Sequence, residues 1–192
     1  MKRRIGKKLS MKIAGIRCII LDVDGVLTDG RIIFDDRGRE LKFFDVRDGH
    51  GIKLLMRAGI DVILLTGRIS RVVDLRARDL GIKEVYQGEK DKLEAFENIT
   101  ARKRIQPHQI ACLGDDVTDI PLLKRAGFSV VVADAPEYVR KIADYVTERA
   151  GGRGAVREIC ELILQVQGKW DAVVEKYDLH TSRSRKDGTV CE

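Results

Sequence analysis

Three short apolar runs, Cys18-Ile19-Ile20-Leu21, Val62-Ile63-Leu64-Leu65 and Ile110-Ala111-Cys112-Leu113, each pass directly into a polar signature. Unbroken apolar runs of this length mark strands buried on both faces, the condition of a parallel sheet covered by helices. Segments of helical period lie between them: Ile52, Leu54, Leu55 and Ala58 before Gly59, Ser70 to Leu80 before Gly81, and Leu93, Phe96 and Ile99 ahead of Pro107. Strands alternating with helices predict an α/β fold, a central parallel sheet flanked by helices. Right-handed crossovers then gather the loops that follow the strands on one carboxyl edge. The three polar signatures are expected to meet there.

The remaining chain fits the same plan. Arg31-Ile32-Ile33-Phe34 and Glu40-Leu41-Lys42-Phe43-Phe44 surround the turn Asp35-Asp36-Arg37-Gly38-Arg39 and read as a β-hairpin, a flap over the first signature. Short strands are expected at Glu84 to Tyr86, Val130 to Val132 and Tyr145-Val146. A last amphipathic helix carries Val156, Ile159, Cys160, Ile163 and Val166 on one side. The domain is placed at residues 15–168, with a basic N-terminal extension at 1–14 and a polar, flexible C-terminal tail at 169–192.

The 192 residues suffice for one well-buried domain and not for two large ones. No apolar run approaches the roughly 20 residues that span a bilayer, so a cytoplasmic protein is expected. The formal charge of +6 hints at nucleic acid. Lys2, Arg3, Arg4, Lys7, Lys8 and Lys12 carry as much charge as that whole excess, so a solvated extension is preferred to a phosphate-binding arm. Cys18, Cys112, Cys160 and Cys191 form no CxxC pair and read as reduced structural thiols.

The first signature, Asp22-Val23-Asp24-Gly25, brings two carboxylates to one strand end, where they repel unless a cation or a shared proton lies between them. Phosphate-ester hydrolysis needs a nucleophile, a proton donor for the leaving alkoxide, and positive charge around the transferring group. Asp22 suits the nucleophile, because a carboxylate attacks without prior deprotonation, and Asp24 suits the acid and base. Asp22, Asp115 and the main-chain carbonyl of Asp24 offer hard oxygen ligands to Mg²⁺. Thr66 offers a hydroxyl and an N–H to phosphoryl oxygens, with Gly67 permitting close approach. An ammonium comes from Lys92, with Lys90 as the alternative.

The ordered set DVDGVLTDG, LLTGR, a lysine at a helix start and GDDVTD resembles the four motifs of the haloacid dehalogenase-like phosphatase superfamily, over roughly residues 15 to 168. The resemblance implies a Rossmann-like fold, with Asp22 as nucleophile, Asp24 as acid and base, Thr66 and Lys92 as phosphate holders and Asp115 as a Mg²⁺ ligand. Asp119 would support Lys92 or metal-bound water, and Asp116 would add negative charge. VRDGHGI, QGEKDKL and GGRGAVREIC resemble additional signatures of the 3-deoxy-D-manno-octulosonate 8-phosphate (KDO-8-phosphate) phosphatases within that superfamily, which act in lipopolysaccharide synthesis.

Hairpin, helix and strand account for the segment from Asp24 to Thr66, and helix and strand for that from Thr66 to Lys92, so no cap domain is expected. An open site gives little grip on a sugar. The resembling enzymes are homotetramers in which a neighbouring subunit completes the site, and Arg153 is then either a holder of the substrate carboxylate or a surface charge leading a helix. Arg68 and Asp48 are further sugar-contact candidates, and His50 is expected at the flap base. Alternatives are a phosphatase for a nine-carbon sugar acid phosphate or another small sugar phosphate, a nucleic-acid-binding protein using the basic arm, or a purely structural oligomeric partner.

Overall fold

The computed structural model describes residues 5–177. In chain order these form α1 (Lys7–Ala14), β1 (Cys18–Leu21), β2 (Ile33–Phe34), β3 (Glu40–Leu41), α2 (Val46–Arg57), β4 (Asp61–Thr66), α3 (Arg71–Leu80) and β5 (Glu84–Gln87). They continue as α4 (Lys92–Lys103), β6 (Ile110–Gly114), α5 (Ile120–Arg125), β7 (Phe128–Val131), α6 (Glu137–Arg140), β8 (Tyr145–Val146), α7 (Ala155–Val166) and α8 (Trp170–Val174).

The main sheet has six parallel strands in the order β5-β4-β1-β6-β7-β8. From β1 the chain goes first toward β4 and β5, then returns past β1 to β6, β7 and β8. With right-handed crossovers, the first direction places α2 and α3 on one face and the second places α4 and α5 on the other. The strand order therefore reverses beside β1, where open α/β sheets form a crevice at their carboxyl ends. The three apolar runs are the three central strands, with Leu21 level with Leu64 on one side and Leu113 on the other. Ile19, Ile20 and Leu21 are fully buried, each contributing roughly 1.5–3 kcal/mol.

The expected hairpin forms, with Phe34 opposite Glu40 and Ile33 opposite Leu41. Only the hairpin, α2 and β4 lie between Asp24 and Thr66, and only α3 and β5 between Thr66 and Lys92, so no cap interrupts the described residues.

Three boundaries differ from the sequence reading. α2 begins at Val46 rather than near Gly51, because the Asp45 carboxylate caps it by accepting the Arg47 N–H at 2.7 Å. Its Gly51 lets the helix approach α7, since a Cβ there would come within 3.1 Å of Arg157 Cα. The stretch expected as a basic extension folds from Lys7 onward into α1, whose Ile13 is buried in the core and whose Lys12 bonds Asp144 at 2.6 Å. The tail expected from residue 169 begins instead with α8, where Val174 is buried; residues 178–192, including Cys191, lie outside the described residues. Cys18, Cys112 and Cys160 are buried and unpaired. Among the described residues no helix is long and apolar enough to cross a membrane.

Candidate active site

Asp22 is the first residue beyond β1, and its N–H donates to the Leu113 carbonyl at 3.1 Å, which extends the strand pairing to that point. The loop then closes around Thr28, whose buried hydroxyl accepts the N–H groups of Gly25 and Gly30 and donates to the Val23 carbonyl. Gly25 adopts φ 89°, and a Cβ there would run into the Asp115 carboxylate. Behind the loop, the Gly152 N–H donates to the Val26 carbonyl at 2.9 Å, and a Cβ on Gly151 would overlap the Gly25 carbonyl. The GGRG segment therefore braces the first signature from within the same chain.

Residues from four elements come to this sheet edge. Thr66 ends β4 with its hydroxyl buried and accepting the Arg68 N–H at 3.3 Å. Lys92 opens α4, after Asp91 has capped that helix, and is 5% exposed. Its ammonium stands 3.1 Å from Asp22 Oδ1 and donates to Asp119 Oδ1 at 2.6 Å. Asp119 is fully buried, and its other oxygen accepts the N–H groups of Asp115 at 2.9 Å and Asp116 at 3.3 Å. Lys90 is exposed, so of the two lysines only Lys92 reaches Asp22.

Carboxylate oxygens of Asp22, Asp115 and Asp119 lie within 4.8 Å of one another. Both Asp119 oxygens are already engaged by Lys92 and backbone N–H groups, which leaves Asp22 and Asp115 facing each other with spare lone pairs. Burial, then the Asp119 charge, holds the Asp22 carboxyl above the usual carboxylate range against the pull of Lys92. Burial and the charges of Asp22, Asp119 and Asp116 do the same for Asp115. Burial alone would lower the Lys92 ammonium, but Asp22 and Asp119 outweigh it and hold it above its ordinary value. Hard oxygen donors with a surplus of negative charge fit a divalent cation such as Mg²⁺.

The other candidates divide. The Asp24 carboxylate lies apart from the three-carboxylate cluster: it pairs with Lys42 of the hairpin, and Arg68 Nε stands 3.7 Å from its second oxygen. A Cβ on Gly67 would meet only the Glu89 carbonyl at 3.6 Å, so the chain's own packing does not demand glycine there. Asp48 does not face the site. It is 1% exposed, and its carboxylate accepts the N–H groups of Gly154 at 3.2 Å and Arg157 at 2.7 Å, capping α7; this replaces the sugar contact expected of it. Arg153 is exposed beside Asp29, 3.5 Å away, rather than among the converging groups. Asp116 is exposed and caps the short turn that follows it. His50 meets the edge of the Tyr177 ring.

Sequence reasoning missed Glu40 and Lys42, which leave the hairpin two residues apart and turn toward Asp24 and Arg68. Their signal was present as two opposite charges alternating with apolar residues in a short strand. It also missed Thr28, whose role requires the folded loop.

The profile of the haloacid dehalogenase-like hydrolases matches residues 78–159. The 3-deoxy-D-manno-octulosonate 8-phosphate phosphatase of Escherichia coli is 49% identical over 160 residues, covering 83% of this chain and 85% of the relative. This chain belongs to the KDO-8-phosphate phosphatase family. The crystal structure of the Yersinia pestis family enzyme superposes with a TM-score of 0.85 at 46% identity, covering 87% of this chain and 90% of that one. The Moraxella catarrhalis enzyme, solved with magnesium, phosphate and KDO, gives 0.88 at 40% identity over 90% of this chain and 99% of that one. A cobalt-bound family structure from Haemophilus influenzae gives 0.81 at 44% identity over 84% of this chain and 94% of that one. The six-stranded parallel α/β fold described above is thus shared with these enzymes.

Proposed function

We propose that this chain is a Mg²⁺-dependent phosphatase that hydrolyses KDO-8-phosphate to KDO and inorganic phosphate through an aspartyl-phosphate, a step in making lipopolysaccharide precursor. The observation that carries this reading is the convergence of Asp22, Lys92 and Asp115 at the sheet's switch point, with Thr66 ending the adjacent strand β4, in a chain of that family.

Asp22 Oδ attacks phosphorus while the bond from phosphorus to the sugar oxygen breaks. Asp24 gives its proton to that departing oxygen, and later takes one from the water that hydrolyses the aspartyl-phosphate. Lys92 and Thr66 hold the phosphoryl oxygens, and Asp119 keeps the Lys92 ammonium in place. Asp22, Asp115 and the main-chain carbonyl of Asp24 would hold Mg²⁺, which supplies positive charge to offset repulsion between carboxylates and phosphate. Gly67 and Arg68 lie beside Thr66, where the sugar would approach.

The active unit in this reading is a homotetramer in the cytoplasm. The hairpin and its surroundings present Phe34, Leu41, Phe43, Val46 and Ile69 to solvent, an apolar surface suited to a second copy. Arg153, exposed at the edge of the site, would then face a neighbour's substrate. The buried unpaired thiols agree with a reducing compartment. Of the basic residues at the N-terminus, Lys12 pairs with Asp144 at 2.6 Å, and the site described above, in a chain of this family, favours the phosphatase over nucleic-acid binding.

The test is phosphate release from a panel of sugar phosphates in Mg²⁺. KDO-8-phosphate should give the highest kcat/KM, above the nine-carbon acid phosphate, and Asp22→Asn should lower kcat on the order of 10⁴-fold or more. Full turnover by that variant would sink the mechanism.

A further inference from the structure

Lys42 is a hairpin residue whose side chain is only 1% exposed. A buried ammonium costs several kcal/mol unless it is paired, so its position must be specified by its partners. Those partners are the Asp24 carboxylate and Glu40, the latter at 3.3 Å. Arg68 completes a ring: its Nη2 donates to Glu40 at 2.9 Å and its Nε lies 3.7 Å from the other Asp24 oxygen. Ser70 also donates to Glu40. Although burial pushes the Glu40 carboxyl up, Ser70, Lys42 and Arg68 together hold it below the usual range, so it remains an anion. Two basic and two acidic side chains from the first signature, the hairpin and the loop after β4 thus close a ring.

We infer that Lys42 is a positioning residue for Asp24: docked by Glu40, it fixes the carboxylate where the leaving oxygen of the substrate departs, so that seating the flap and placing the proton donor are one event. The inference rests on the phosphatase reading above and deepens it. Asp24 precedes Gly25 in a loop, and nothing on its own strand restrains its side chain. A proton donor must sit within hydrogen-bond reach of the oxygen it serves, and small misplacements are costly. A ring that only pinned the hairpin would affect every substrate alike. A ring that places the proton donor matters only when the leaving group needs a proton.

The experiment compares kcat/KM, which reports steps up to departure of the leaving group, for KDO-8-phosphate and for p-nitrophenyl phosphate, whose leaving group is stable as an anion. If another alkyl sugar phosphate is the better substrate in the panel, it takes the first place. Lys42→Met should lose on the order of 10²-fold on the sugar phosphate and less than about three-fold on the aryl phosphate. Lys42→Arg, which keeps the charge but changes the head group, should show the same asymmetry in smaller degree, and decides the matter if the methionine variant does not fold. Equal losses on both esters, or no loss on either, overturn the inference. Wild-type protein that hydrolyses neither ester overturns the phosphatase reading itself, and this inference with it.

Discussion

The Lys92 ammonium donates to Asp119 Oδ1 at 2.6 Å in a place where both groups are almost wholly removed from water. Asp119 also accepts two backbone N–H groups, so one carboxylate orients both Lys92 and the loop that presents Asp115. Asp119→Ala leaves Lys92 with Asp22 as its carboxylate partner at 3.1 Å and leaves two N–H groups without their acceptor. It should therefore cost about 1–3 kcal/mol of unfolding free energy, read from urea titration in chelator. A loss below about 1 kcal/mol would show that the pair is not structural.

Asp22 and Asp115 present carboxylate oxygens within 4.8 Å of each other, and among the described residues no basic side chain forms an ion pair with Asp115. Mg²⁺ should raise the Tm of the wild-type protein, by the equivalent of about 2.7 kcal/mol at 100 times its Kd. Asp115→Asn should abolish both that shift and phosphate release, while Asp116→Asn, altering an exposed capping residue, should keep most of the shift. Differential scanning calorimetry with and without Mg²⁺ separates the two; equal shifts in all three proteins would refute the assignment of Asp115.

Burial pushes the Asp48 carboxyl up to about 6 from its ordinary 3.8, against the two N–H groups it accepts. The folded protein therefore binds this proton more tightly than the unfolded chain. Below pH 3.8 the carboxyl is protonated in both states and costs nothing; as pH rises through 6 the penalty for the buried anion develops, up to about 3 kcal/mol. In saturating Mg²⁺, the stability of Asp48→Asn relative to wild type should rise across that window. Parallel curves from pH 4 to 7 would contradict it.

Phe43 is 68% exposed on the hairpin. If copies of the chain associate through this surface, Phe43→Glu should leave the monomer folded, convert the oligomer to smaller species in light scattering, and weaken KM for the sugar phosphate more than for p-nitrophenyl phosphate. An unchanged mass would move the interface elsewhere.

Much of the architecture was legible because burial on both faces leaves an unbroken apolar run, and such runs are local. Cys18 to Leu21, Val62 to Leu65 and Ile110 to Leu113 became the three central strands. The start of α2 was read late because Gly49 and Gly51 argue against a helix locally, while the close approach of α7 requires a glycine at 51. Asp48 was misplaced for a related reason: an acid in a glycine-rich stretch looks accessible until α7, more than a hundred residues later in the chain, covers it with its N-terminus.

By itself the sequence determined the parallel α/β sheet, the absence of a cap, and the acids, threonine and lysine available at one sheet edge, since each depends on residue type and spacing along a short stretch. Tertiary structure alone decided between Lys90 and Lys92, turned Asp48 from a sugar contact into a helix cap, and closed the ring of Asp24, Lys42, Glu40 and Arg68. Those outcomes depend on which charges are brought together out of water, and a buried charge is specified by partners that no local pattern reveals.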